Sequence, residues 1–327
     1  MSDFVHLHVH SEYSLLDGLP HPKDLAARAA ELNQRALALT DHGALFAAIE
    51  FYDACKAKGI KPIIGIEAYM ARRTMKDKDP KEDRSSYHLL LLAENNVGYQ
   101  NLLKLASAAQ LDGFYYYPRI DRDLLAKHSE GLICTTGCPS SPVPRLLHEG
   151  KPDQARAMLA WFRDLFPDRF YVELQEHGIA EFAGLDKKLI ELAREFNLPL
   201  VATNDAHYLR PDDARAQDVL LCIQTGTVMA DPKRMRMDGS DYYLKSSDEM
   251  RAVWREFPDA LANTLLVAER CNVDLDFKEY HLPIFPVPDG FTAETYLRHL
   301  CEIGFKKFFP NGDPAARARL DYELGAI

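Results

Sequence analysis

Near the start of the chain histidine stands at every second position, in "FVHLHVHSEYSLLDG" (residues 4–18). In an extended strand, side chains at i, i+2 and i+4 share a face. His6, His8 and His10 are therefore expected on one face, and Val5, Leu7 and Val9 on the other, packed into a core. Imidazoles in register, followed by the Asp17 carboxylate, form a donor set for a divalent metal. More donors follow: Asp41 and His42 in "LTDHG", Glu67 in "GIEAY", His88 in "YHLLLLA", Cys138 after "GLICTTG", and Asp205 and His207 in "TNDAHY". Imidazole, carboxylate and thiolate are zinc ligands, and all but the thiolate also suit Mn²⁺ and Fe²⁺. One tetrahedral ion needs about four protein ligands. This set is too large for one ion and sufficient for two or three that share a bridging carboxylate. Closely spaced ions clamp the attacking and leaving oxygens of phosphoryl transfer and make hydroxide from water near neutral pH. The chemistry implied is hydrolysis of a phosphate ester.

Short apolar runs must hold these residues in place. They are "VHLHV", "ALALTD", "IIGIEAY", "HLLLLA", "GLICTTG", "FYVELQ" and "LPLVATND". Amphipathic stretches alternate with them at 22–33, 44–59, 95–109, 153–166 and 181–197. In the last of these, Leu185, Leu189, Leu192 and Phe196 form the buried stripe of a helix. Strand–helix alternation predicts right-handed βαβ units and a parallel sheet, either an open doubly wound sheet or a closed barrel. No G-x-G-x-x-G follows the first run, so a dinucleotide fold has no support. Most of the donors fall at C-terminal strand ends, where βα barrels build their sites. His88 departs from this pattern, because it opens its run.

Composition is ordinary for a soluble globular protein: 327 residues, 47% hydrophobic and 27% charged. No apolar run approaches the ~20 residues of a membrane span, and no basic-then-apolar segment opens the chain. The six cysteines are scattered, without a disulfide framework, which predicts a cytoplasmic setting. Net charge is −10, whereas a free-standing nucleic-acid binder is usually basic. Metal ions or further protein must offset that charge if DNA is bound. The charged stretch 72–86 reads as a solvated, disordered connector between strands. After residue 208 the alternation stops, with helical patterns at 212–224, 247–256 and 258–271. "YHLPIFPVPDGF" (280–291) reads as an extended linker, followed by a helix at about 292–309. "RARLDYELGAI" lacks a breaker near its end, and is expected to continue in a longer protein.

The segments "HLHVHSEYSLLDG", "ALTDHG", "GIKPIIGIEAY", "YHLLLLA" and "TNDAHY" closely resemble the PHP (polymerase and histidinol phosphatase) family. "NNVGYQNL", "DPKRMR", "ALANTLLVAERCNV" and "YHLPIFP" extend the resemblance across the chain, to the branch at the N terminus of bacterial DNA polymerase III alpha subunits. It implies a distorted (βα)7 barrel with a trinuclear metal site at the C-terminal ends of the strands. The domain would cover 1–285, with 286–327 the linker and start of a polymerase region. By motif, one metal would be held by His8, His10, Glu67 and Asp205, a second by Glu67, His88 and Cys138, and a third by Asp17, His42 and His207. Glu67 and Asp205 would be the bridging and first-metal carboxylates around a metal-activated hydroxide. The implied ions are Zn²⁺ or Mn²⁺, with Fe²⁺ also suitable. The implied activity is 3′→5′ exonuclease proofreading on single-stranded 3′ ends of DNA. Its partners would be the rest of the polymerase III alpha chain and the replisome subunits. Two alternatives stand beside it: a metal-stabilised scaffold without catalysis, and a phosphomonoesterase like histidinol phosphatase.

Other polar residues receive smaller roles. His6 is read as a satisfied neighbour of the site, and Asp41 as orienting His42 or another histidine. His177, after the sixth run, is in a place to meet substrate phosphate, although a surface histidine is the simpler reading, and Cys134 is read as core. Arg72, Arg73, Lys76 and Lys78 are the basic residues of the 72–86 loop available to DNA, although a solvated loop is the simpler reading. His21, His128, His148, His281 and His299 carry no functional expectation. "NVDLDF" (272–277) is rejected as a polymerase Asp-x-Asp motif because it lies in a connector.

Overall fold

The computed structural model describes residues 4–15, 17–182, 184–237, 239–275 and 282–327. Its contacts separate two units, Met1–Asp274 and Leu275–Ile327.

In the first unit seven strands form one sheet: β1 (Ala36–Leu39), β2 (Lys61–Met70), β3 (Tyr87–Ala93), β4 (Arg119–Ile120), β5 (Leu132–Thr135), β6 (Phe170–Leu174) and β7 (Leu200–Ala202). Their order is β1-β2-β3-β5-β6-β7, with β4 pairing β2 to one side. The N-terminal segment bridges the two edges. Its carbonyls at His6 and Val9 accept from the N–H groups of Ala38 and Thr40, beside β1. On its other side the His10 N–H donates to Ala206 O, and the Ala206 N–H donates to His8 O, beyond β7. The sheet thereby curls into a distorted barrel with helices around it. The run "VHLHV" forms no regular strand, only an extended segment with a bridge at Val9.

Two expectations need correction. The sheet is mixed, because β3 runs antiparallel to both β2 and β5. That reversal explains why His88 opens its strand: the start of β3 lies at the same end of the barrel as the ends of its neighbours. In register, His88 faces Tyr69 near the end of β2. The second correction concerns the histidine repeat. Val5 and Leu7 pack with Ala36, Ala38 and Val201, whereas Val9 packs with Leu37, Leu39, Leu25 and Phe51. Alternate residues of β1 lie on opposite faces, so the strict alternation of the segment is broken at a bend at His8. His6 is therefore carried away from His8 and His10.

The helix Pro258–Arg270 closes the inner cluster with Val267 and Ala268. Helices Pro22–Glu31 and Ala48–Ala57 cover the outer face of β1 and β2. Where backbones meet closely, glycine is required: a Cβ on Gly98 would stand 1.8 Å from the Gly131 carbonyl oxygen.

The 72–86 loop is ordered, not a disordered connector. The Arg119 guanidinium, 1% exposed, donates to the backbone carbonyls of Met75, Asp77 and Asp83 in the loop and of Gly113. Arg73 makes a fork to the buried Asp83 carboxylate at 3.1 and 2.5 Å.

In the second unit, residues 282–291 form no helix or strand, while 280 and 281 of the expected linker lie outside the described residues. Residues 276 and 277 of "NVDLDF" do as well. Helices Ala293–Phe308 and Pro314–Ala326 follow, and neither buries a residue. Among the described residues no helix is long and apolar enough to cross a membrane.

Candidate metal centre

The end of β2 places Glu67 at the middle of a cluster. Its carboxylate lies 3.5 Å from His8 Nε2, 3.4 Å from His10 Nε2, 2.9 Å from His42 Nδ1 and 3.1 Å from His88 Nδ1. The Cys138 thiol, just beyond β5, is 3.2 Å from Glu67 Oε1 and 3.6 Å from His88 Nδ1. Asp205 follows β7, 3.3 Å from His8 Nε2 and 3.1 Å from His10 Nε2. It adopts φ +46°, a left-handed conformation that aspartate tolerates better than most residues. Asp17 Oδ1 lies 3.3 Å from His42 Nε2 and 3.6 Å from His207 Nε2. The nine residues expected as metal ligands thus converge. Three groups have ligand atoms within 4.8 Å of one another: His8, His10 and Glu67; His42, Glu67 and His88; His10, His42 and His207.

The cluster has the chemistry of a metal site. His8 Nε2, Asp17 Oδ1 and His207 Nε2 are buried without a hydrogen-bond partner among the described residues. Buried polar atoms are normally paired, and a cation between them answers that need. Burial works to raise the Glu67 carboxyl, but His88, His8 and His42 outweigh it and hold it well below the usual carboxylate range. Asp205 and Asp17 are likewise lowered against burial, by His8 and His207 and by His42 and His207 respectively. Burial, followed by the neighbouring Glu67 and Asp205, pushes the Cys138 thiol well up.

A second set of residues fixes the ring orientations, and sequence reasoning missed most of it. Glu173 on β6 is 1% exposed and accepts at 2.8 Å from His8 Nδ1, which turns Nε2 toward the cluster. Thr203 Oγ1 (2.6 Å), Gln175 Nε2 (2.8 Å) and Thr135 Oγ1 donate to the same carboxylate. The available signal was a lone carboxylate inside the apolar run "FYVELQ". Asp41 reaches His10 through Ser14: it accepts from Ser11 and Ser14, and Ser14 Oγ lies 2.9 Å from His10 Nδ1 and accepts from the His42 backbone N–H at 3.1 Å. His207 is seated by the strip after residue 240, where its N–H donates to Tyr242 O. His6 stands apart from the cluster, with Nε2 2.8 Å from Lys245 O.

The cluster forms the floor of a cavity of about 550 Å³. Six carboxylates line it, those of Asp17, Glu67, Glu173, Glu176, Asp186 and Asp205, and no lysine or arginine does among the described residues. His177, for which a surface position was the simpler of two expectations, lines it too. Of the basic loop residues, Arg73 is engaged by Asp83. Arg72 lies over the Tyr87 ring at 5.3 Å, and Lys76 and Lys78 are exposed.

A profile of the PHP domain matches residues 6–177. The chain belongs to the PHP domain family. Over its full length this PHP domain is 46% identical to the DNA polymerase III subunit alpha of Borreliella burgdorferi, and 41% identical to that of Mycobacterium tuberculosis. It is 43% identical to the Thermus aquaticus subunit over 94% of the chain. It spans 29%, 29% and 26% of the length of those relatives, respectively. Among solved structures, an amidohydrolase from Chromobacterium violaceum overlaps with a TM-score of 0.38 at 15% identity, covering 62% of this chain and 87% of that one.

Proposed function

We propose that this PHP domain is the N-terminal part of a bacterial replicative DNA polymerase III alpha chain, and that its site hydrolyses phosphodiesters as a metal-dependent 3′→5′ exonuclease. The reading rests on one observation above the rest: buried, unpartnered imidazole and carboxylate atoms converge on Glu67 at the floor of an open cavity. His8, His10, Glu67 and Asp205 would hold one ion, Glu67, His88 and Cys138 a second, and Asp17, His42 and His207 a third. Zn²⁺ or Mn²⁺ bound there supplies Lewis acidity and an activated water. The chain itself contributes position. Glu173 and Ser14 fix the two N-terminal imidazoles, and Glu67 draws three elements together. Among the described residues the cavity walls offer no lysine or arginine to a phosphate, so an anionic substrate depends on the loaded metals for its attraction. Residues 286–327 are proposed as linker and start of the polymerase region. DNA, the remainder of that chain and the replisome subunits are the proposed partners, in the cytoplasm.

The test is degradation of a 3′-mismatched, 5′-labelled primer with Mn²⁺ or Zn²⁺, in the parent, His8→Ala and Asp205→Ala, with bound metal counted in each. Shortening from the 3′ end that is lost in both variants supports the exonuclease. No shortening by the metal-loaded parent, with lower melting temperatures in both variants, points to a metal-held scaffold. Hydrolysis confined to small phosphate monoesters points to the phosphatase reading.

A further inference from the structure

The cavity has two halves of different chemistry. One is the carboxylate–imidazole floor. The other is walled by Phe182, Leu189, Met235 and Met237, while the Glu176 and Asp186 carboxylates also line the cavity, and Met235 is left 60% exposed. His177 lines the same cavity, its ring stacked on Tyr242 with centroids 4.0 Å apart and planes 16° apart. Both His177 ring nitrogens are buried, and neither has a hydrogen-bond partner among the described residues. A neutral imidazole offers one donor and one acceptor, and buried groups of that kind are normally paired. A ligand completing this half must therefore be uncharged, largely apolar, and carry a hydrogen-bonding edge. Thioethers and an aromatic ring favour a flat π-system. A cavity of about 550 Å³ has room for a nucleotide.

We propose that this half is a nucleobase subsite. It takes the base of the 3′-terminal nucleotide, with its face against Phe182, Met235 and Met237 and its edge toward His177, while the adjoining phosphodiester lies over the Glu67 floor. The inference rests on the phosphodiesterase reading and deepens it. A base seated there has left its stack and its pair, so the subsite itself selects frayed 3′ ends over paired ones. A bare phosphate or an aliphatic ester would leave the apolar wall wet and His177 unpaired.

The experiment uses the metal-loaded full chain and two 5′-labelled single strands, one ending in thymidine and one ending in an abasic tetrahydrofuran residue. The parent is expected to release thymidine 5′-monophosphate with a kcat/KM at least about tenfold higher than that for the abasic residue, the size of a base–aromatic contact. His177→Ala and Phe182→Ala should bring that ratio toward one, mainly through KM, whereas His177→Asn, which keeps a donor and an acceptor, should retain part of it. Metal counts for each variant separate loss of the subsite from collapse of the floor. Equal rates on the two strands in the parent would overturn the subsite and leave the exonuclease standing. If neither strand nor bis(p-nitrophenyl) phosphate is hydrolysed, the phosphodiesterase reading fails, and the subsite is read by binding alone. Thymidine 5′-monophosphate held tighter than deoxyribose 5-phosphate, with the difference lost in His177→Ala, would support it. Equal binding would overturn it.

Discussion

Glu173 is the residue on which a merely local reading of the cluster fails. It touches His8 Nδ1, not the centre of the cluster, yet it decides which nitrogen His8 turns inward. Outer partners of metal-binding histidines typically matter by about 10–100-fold in affinity or activity. Glu173→Gln is therefore expected to weaken metal retention within that range, measured by dialysis against graded chelator and elemental analysis; unchanged retention would show that Thr203 and Gln175 suffice. Asp186, on the cavity wall, gives a pH signature. Burial, aided by Glu176, pushes its carboxyl up to about 7, against ~3.9 in an unfolded chain. Between those values the folded chain keeps a proton that the unfolded chain has released. Its stabilising effect is therefore full below about pH 4 and fades as pH rises through about 7. Asp186→Asn should flatten this slope and gain ~2 kcal/mol over the parent at pH 8 relative to pH 5, in urea melts at the two pH values. The nine converging donors were legible from residue type and spacing. Glu173 was not singled out, because its partner lies 165 positions away in the chain.

At the scale of elements, order in the 72–86 loop depends on one side chain. Arg119→Ala would leave carbonyls of Met75, Asp77, Asp83 and Gly113 without their shared donor. The loop should then open to trypsin at its own lysines and arginines at least several-fold faster than in the parent, read by mass spectrometry of the first cuts. Equal cutting would show that Arg73 and Asp83 hold the loop alone. Gly98→Ala presses a methyl into the Gly131 carbonyl and should cost about 3 kcal/mol, a severe value for one substitution, measured by chemical denaturation. Six of the seven expected strand runs, and the longer helices between them, were readable from periodicity; the first run forms only an extended segment, and the two-residue β4 was not foreseen. The reversal of β3 was not, since an apolar run reads the same in either direction, and only pairing with β2 and β5 sets its sense.

For the molecule as a whole, the barrel gathers charged and polar groups into its interior and leaves several of them unpaired. A ligand that binds only the folded state stabilises it by mass action. Chelation should accordingly lower the melting temperature by ~5 °C or more, measured by calorimetry with and without chelator; an unchanged transition would mean that the fold carries the cluster unaided. By itself the sequence determined the donor types, the strand–helix rhythm and the family, because these depend on local pattern and short motifs. Tertiary structure alone decided that the N-terminal segment bends at His8, that β3 runs reversed, that Glu173 orients His8 and that the loop is anchored. Each of those outcomes depends on a bend, a strand direction or a contact between distant residues, and residue order encodes them only through the closed barrel.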